Sequence, residues 1–229
     1  MYKKFIELFG KENLLDQALE TTIIMLGSDL EMFSASKKSL RDRDNAELPF
    51  DIYEKDKQIN KFEREVRRNV LTHLTISGVH NIVPGLALVS IVIDVERIGD
   101  FAKNITELAK AHPEKLNAGA YEKDLGEIEQ TILLRFDQII KVLSGPDVEL
   151  AKQMMIEHRG ISSRCDKMMG DIIRGINTPP NPSDAVVLAL YFRYLKRVAS
   201  HLTNIASSIV NPFPRIGFRS KEDDPQNDL

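Results

Sequence analysis

Between Asn13 and Asn211 the apolar residues recur at steps of three and four, and nowhere is there a convincing alternation of two. A chain patterned in this way can hide its hydrophobic stripes only as amphipathic helices packed on one another. The stripes fall into six segments. The first, from about Asn13 to Arg43, carries Leu15, Leu19, Thr22, Leu26, Leu30, Phe33 and Leu40. The second shows Ile52, Ile59, Phe62, Val66, Val70 and Leu74, with Pro49 tolerable in its first turn, and ends near Ser77-Gly78. The third carries Leu88, Ile91, Val95, Ile98, Ala102, Ile105 and Ala109 and closes before His112-Pro113.

The fourth segment reads Leu125, Ile128, Ile132, Phe136, Ile139 and Leu143. The fifth reads Ala151, Met154, Ile161, Cys165, Met168, Ile172 and Ile176, and the sixth Val187, Tyr191, Tyr194, Val198, Leu202, Ile205 and Ile209. Ser144 and Asp147 have the spacing of a weak capping box, and Ser183 is the expected N-cap of the sixth helix. Short connections force antiparallel neighbours. The halves also echo each other: Arg97, Ile98, Gly99, Asn104 and Ile105 recur as Arg197, Val198, Ala199, Asn204 and Ile205 at a constant offset of one hundred. The expected fold is all-α, six antiparallel helices in two tandem three-helix bundles over 1–112 and 113–212, with a disordered tail at 213–229. A single irregular six-helix bundle is the alternative.

The chain has 229 residues, enough for one large domain or two small ones. A net charge of -3 gives no reason to expect nucleic acid. One cysteine fits a reducing compartment. The opening MYKKFIELFG is too short in apolar residues for a signal peptide, and the apolar run from Ile82 to Ile93 is too short to span a bilayer. The expectation is a cytoplasmic protein, not transmembrane, able to dock peripherally at the inner membrane.

Within the third segment, IVIDVERIGDFAKNITELA, Glu96 and Asp100 lie one helical turn apart beside the buried stripe. If the second and third helices form a hairpin, residues equidistant from its turn lie side by side. Asp56 and Asp100 are equidistant from Gly78, as are Asn60 and Glu96. Glu63 continues the stripe by one turn. Clustered carboxylates repel, by about 1 to 4 kcal/mol for a pair at roughly 4 Å, and a hard cation would remove that repulsion. Solvated acids paired with Lys57, Arg64 or Arg97 are the alternative.

The second half keeps the geometry and changes the chemistry. His158 and Ser200, and Ser162 and Lys196, are equidistant from Pro179. Serines and a lysine are poor metal ligands; His158 and His201 would at most suit a softer ion such as Zn²⁺. Cys165 lies on the apolar stripe as a buried thiol. Gly99 and Ala199 read as sites of tight helix packing, and Asn104 and Asn204 as hydrogen-bond anchors.

The DVERIGD stretch with Asn104 after it, and DKQIN from Asp56 to Asn60 with Glu63 after it, resemble the paired motifs of the PhoU family, regulators of phosphate-specific transport. The resemblance covers about residues 13 to 211. It implies a non-enzymatic protein of two tandem three-helix bundles, each able to bind a metal cluster (iron, or Mg, Mn or Zn); here the ligand positions carry over in the first bundle only, at Asp56, Asn60, Glu63, Glu96 and Asp100. It also implies partners at the inner face of the membrane, namely a phosphate transporter component and a sensor kinase, and allows a homodimer. The missing acids of the second half mark a divergent member.

Two rival classes remain. A ferritin-like di-iron oxidoreductase needs Glu-x-x-His, and none of the five histidines has a glutamate three residues before it. A metal-free helical adaptor unrelated to phosphate differs only at the acidic patch. No Gly-rich phosphate loop, nucleophile–base pair or Cys/His zinc spacing is present.

Overall fold

The computed structural model describes residues 13–42, 47–77, 81–112, 114–145 and 147–218. The opening MYKKFIELFG and the turn at Gly78 lie outside the described residues. Six α-helices follow in order: α1 (Leu14–Arg41), α2 (Ile52–Ser77), α3 (Ile82–Ala111), α4 (Glu122–Ser144), α5 (Val148–Ile173) and α6 (Pro182–Val210). Among the described residues there is no strand, and no helix is long and apolar enough to cross a membrane.

The helix ends are fixed by polar side chains more than by the signals the sequence suggested. Asn13 caps α1, accepting from the amides of Leu15 and Asp16. Pro49 lies outside α2, and Asp51 accepts from the amides of Tyr53 and Glu54. The expected capping box does not form: Ser144 bonds back to the Ile140 carbonyl inside α4, while Asp147 alone caps α5. Asn181, not Ser183, caps α6, because Pro182 already occupies the first helical position, where its missing N–H costs nothing. Beyond α6 the chain does not run off as a disordered tail at once. Asn211 donates to the carbonyls of Arg215 and Phe218, and the Gly217 amide donates to Ser207 Oγ, folding residues 213–218 back. Residues 219–229 lie outside the described residues.

Helices α1, α2 and α3 pack as one bundle and α4, α5 and α6 as a second, joined where α3 lies along α6 and α1 meets α4. The buried face of α1 is turned slightly from the expected stripe. Leu15, Leu19 and Leu30 are only half-buried, whereas Ala18, Met25, Asp29, Met32 and Ser36 are fully enclosed with Thr22, Leu26, Phe33 and Leu40. A helix between two neighbours needs a wider apolar arc than a single i, i+4 row provides. The buried positions of α1 recur in α4 at an offset of 103, so that Phe33 matches Phe136 and Met32 matches Arg135; the two phenyl rings lie 5.7 Å apart.

Polar groups tie the bundles together. Arg41 donates to Glu122 at 2.5 Å, Glu129 at 3.1 Å and the Leu116 carbonyl at 3.0 Å, and Tyr191 donates to Glu129 at 2.8 Å. His112 lies 3.0 Å from Asp184. On the α3–α6 face, Asp94 accepts from His201 and Asn204, and Phe101 packs on Tyr194 and stacks on His201. Asn204 is thus an anchor between helices, as the sequence suggests.

Candidate functional site

The hairpin of α2 and α3 brings Asp56 and Asp100 to one level. The Lys103 ammonium, one turn beyond Asp100, donates to Asp56 Oδ1 and Asp100 Oδ1, each at 2.9 Å. Asn60 donates to the Asp56 carbonyl at 3.0 Å, which leaves its amide oxygen facing away from that bond. Glu63 pairs with Arg67 at 2.7 Å. Arg97 reaches Glu96 at 3.6 Å and Asp100 at 3.3 Å from an exposed position on the rim. All five expected residues are half-buried and share this face of the first bundle. Gly78, about which they were paired, lies outside the described residues.

The pattern of α2 and α3 did not show the residue beneath them. Asp29 of α1 is fully buried, and neither of its carboxylate oxygens has a hydrogen-bond partner among the described residues. Its pKa is raised well above the ordinary carboxylate value, first by burial and then by the negative charge of Glu96, Asp56 and Asp100. The only sequence signal was position: Asp29 falls three residues after Leu26 and four before Phe33, inside an apolar stripe. Glu96 is also raised, by burial first and then by Asp100, with Arg97 opposing and Glu63 and Asp56 adding to the rise. Burial alone would lower the Lys103 pKa, but its hydrogen bonds to Asp100 and Asp56 more than offset this and raise it.

Gly99 completes the arrangement. A Cβ at this position would lie 2.9 Å from Asp29 Oδ1 and 3.1 Å from Ile59 Cδ1. The packing expected at Gly99 is real, and what it admits is a carboxylate.

The donor set is chemically suited to a hard cation: carboxylates, an amide oxygen, and one buried acid with unsatisfied oxygens. Geometrically the acids do not yet converge. Among the described residues no three His, Cys, Asp or Glu side chains are grouped to hold an ion, and Lys103 supplies the positive charge between Asp56 and Asp100.

In the second hairpin His158 Nε2 lies 3.4 Å from Ser200 Oγ, the level expected from Pro179. Lys196 turns instead to Asp166, contacting both oxygens at 2.6 Å. His158 and His201 do not share a site: His201 is engaged with Asp94 at the α3–α6 face. Cys165 is buried, and burial pushes its thiol up to about 12.

A family model described as the PhoU domain matches residues 22–109 and again 125–209, one copy for each bundle. A phosphate-specific transport system accessory protein PhoU homolog from Synechocystis sp. is 25% identical over 213 residues, covering 85% of this chain and 88% of that protein. The crystal structure of PhoU from Pseudomonas aeruginosa superposes with a TM-score of 0.77 at 19% identity, over 86% of this chain and 95% of that one, a likeness of fold. With both bundles matched by the same domain, the chain belongs to the PhoU family.

Proposed function

We propose that this protein is an accessory regulator of phosphate uptake and phosphate-starvation signalling, working through protein contacts and a metal held by its first bundle. The role in phosphate transport is supported by family membership and by the accessory-protein homologue from Synechocystis sp.. The metal reading is carried by one observation: Asp29 is a fully buried carboxylate without a hydrogen-bond partner among the described residues, under a face that holds Asp56, Glu96 and Asp100. A buried acid of this kind is costly unless it is protonated or balanced by a cation. Asp29, Asp56, Glu96 and Asp100, with Asn60 and Glu63 beside them, would supply the oxygens to iron, or to Mg, Mn or Zn. The ion would remove the mutual repulsion of the acids.

The protein has no proposed catalytic role. Its partners would be a phosphate transporter component and a sensor kinase at the inner face of the membrane, with the protein in the cytoplasm or peripheral to that membrane. A homodimer is compatible with this arrangement. The second reading, a metal-free helical adaptor, is favoured by Lys103, whose ammonium already pairs with two of the acids. Elemental analysis of the purified protein beside Glu96→Ala/Asp100→Ala decides between them. Metal lost in the variant supports the first reading, and equal content in both supports the second. Deleting the gene and following phosphate uptake and starvation-gene expression tests the biological role; no change in either would overturn it.

A further inference from the structure

The second bundle carries a pocket at the level where the first gathers its acids, with Arg159 and Asp166 as the charged residues of its lining. Register places His158 where the first bundle has Asp56, Thr203 where it has Lys103, Lys196 where it has Glu96, and Arg135 where it has Met32. A pocket of about 700 Å³ opens between α5 and α6, and its lining includes the hydroxyls of Ser162, Ser200 and Thr203 and the apolar side chains of Ile156 and Phe218. Arg135 stands behind Thr203. It is 1% exposed, it donates from Nη1 to Thr203 Oγ1 at 3.1 Å, and its Nε and Nη2 have no hydrogen-bond partner among the described residues.

Its nearest acid, Glu157, lies 3.9 Å away, is half exposed, and also accepts from Gln153. Asp166, on the pocket rim, is taken by Lys196. Arg159, at the exposed rim, adds a further positive charge. A guanidinium enclosed with two idle donor nitrogens costs free energy unless an anion or another acceptor compensates it. Thr203, which accepts from Arg135, donates to the Ala199 carbonyl at 2.8 Å, and Ser200 donates to the Lys196 carbonyl at 2.9 Å; both are back-bonds within α6, from which a hydroxyl can rotate toward an anion.

We propose that this pocket binds a phosphoryl oxyanion, with Ser162 donating to its oxygens, Ser200 and Thr203 rotating away from the Lys196 and Ala199 carbonyls to do the same, and Arg135 supplying charge from behind Thr203. The volume exceeds what a bare tetrahedral ion fills, and Ile156 and Phe218 in the lining suit an organic group, so a small phosphate monoester is the better occupant than free phosphate.

The test is isothermal titration of the full chain with inorganic phosphate and, separately, with adenosine monophosphate. The variants are Arg135→Met (the residue the first bundle carries there), Ser200→Ala/Thr203→Val, and Glu96→Ala/Asp100→Ala. Saturable binding of at least one probe is expected, weakened about tenfold or more by each second-bundle variant and unchanged by the first-bundle one. Tighter binding of adenosine monophosphate identifies the monoester, and tighter binding of phosphate the free ion. Thermal melting checks that Arg135→Met folds; if it does not, the α6 variant carries the test alone. Absence of saturable binding by both probes, undiminished binding in the second-bundle variants, or loss in the first-bundle variant would overturn the proposal.

Discussion

The carboxylate of Asp29 fills the space that a side chain on Gly99 would need: its Oδ1 lies 2.9 Å from the position of a Cβ there. One residue from α1 and one from α3 are therefore coupled sterically, although they are distant in sequence. Replacing Gly99 with alanine should gain about 1 kcal/mol of helix propensity and lose about 1–3 kcal/mol to overpacking. A net destabilisation is expected in urea unfolding. In an Asp29→Ala background the same change should become neutral or stabilising, and a double-mutant cycle reads the coupling.

Lys103 holds Asp56 and Asp100 together. Without added metal, Lys103→Met should lower stability by roughly 1–2 kcal/mol, a figure reduced for the partial exposure of all three groups. Added Mn²⁺ should restore the melting temperature of the variant and bind it more tightly than it binds the wild type, because the ammonium no longer competes. A variant that melts at the same temperature with and without metal would argue for the adaptor reading.

His158 sets an acid limb on the stability curve. Burial, with the positive charge of Arg135 and Lys196 behind it, lowers its pKa from 6.5 to about 4. The folded state therefore takes up this proton less readily than the unfolded chain. The contribution is fully present above the unfolded value and is lost as pH falls through the folded one. Between about pH 6.5 and 4 the wild type should lose about 1–3 kcal/mol through this group, allowing for its partial exposure. His158→Gln should flatten that part of the curve in denaturation measured as a function of pH.

Arg41 joins the bundles by its bonds to Glu122, Glu129 and the Leu116 carbonyl. Arg41→Ala would leave Glu129, which is 4% exposed, as a buried charge supported, among the described residues, by Tyr191. The expected cost is about 3–5 kcal/mol. Tyr191→Phe, which removes one hydrogen bond from the same group, should cost about 1–2 kcal/mol.

The meeting of Asp56 and Asp100 was legible because it needed only two things: helical periodicity to place the turn, and antiparallel geometry to pair the arms. Asp29, Lys103 and Arg135 were not legible in the same way. Asp29 was one acid within a 28-residue helix, and its burial depends on how α1 is rotated against the hairpin. The part played by Lys103 depends on where a long flexible stem ends. The charge of Arg135 matters because α4 turns it inward, beneath Thr203. The sequence offered His201 at most as a ligand for a softer ion, whereas its partner Asp94 belongs to the other bundle.

The amino-acid order by itself determined the six helices, the two hairpins and the level at which their arms meet, since periodicity and turn position are properties of contiguous chain. Only the tertiary structure decided what stands under each hairpin: a buried carboxylate in the first bundle and a buried guanidinium in the second. The physical reason is that the rotation of a third helix against two others is set by close packing of all three, and no single stripe contains that information.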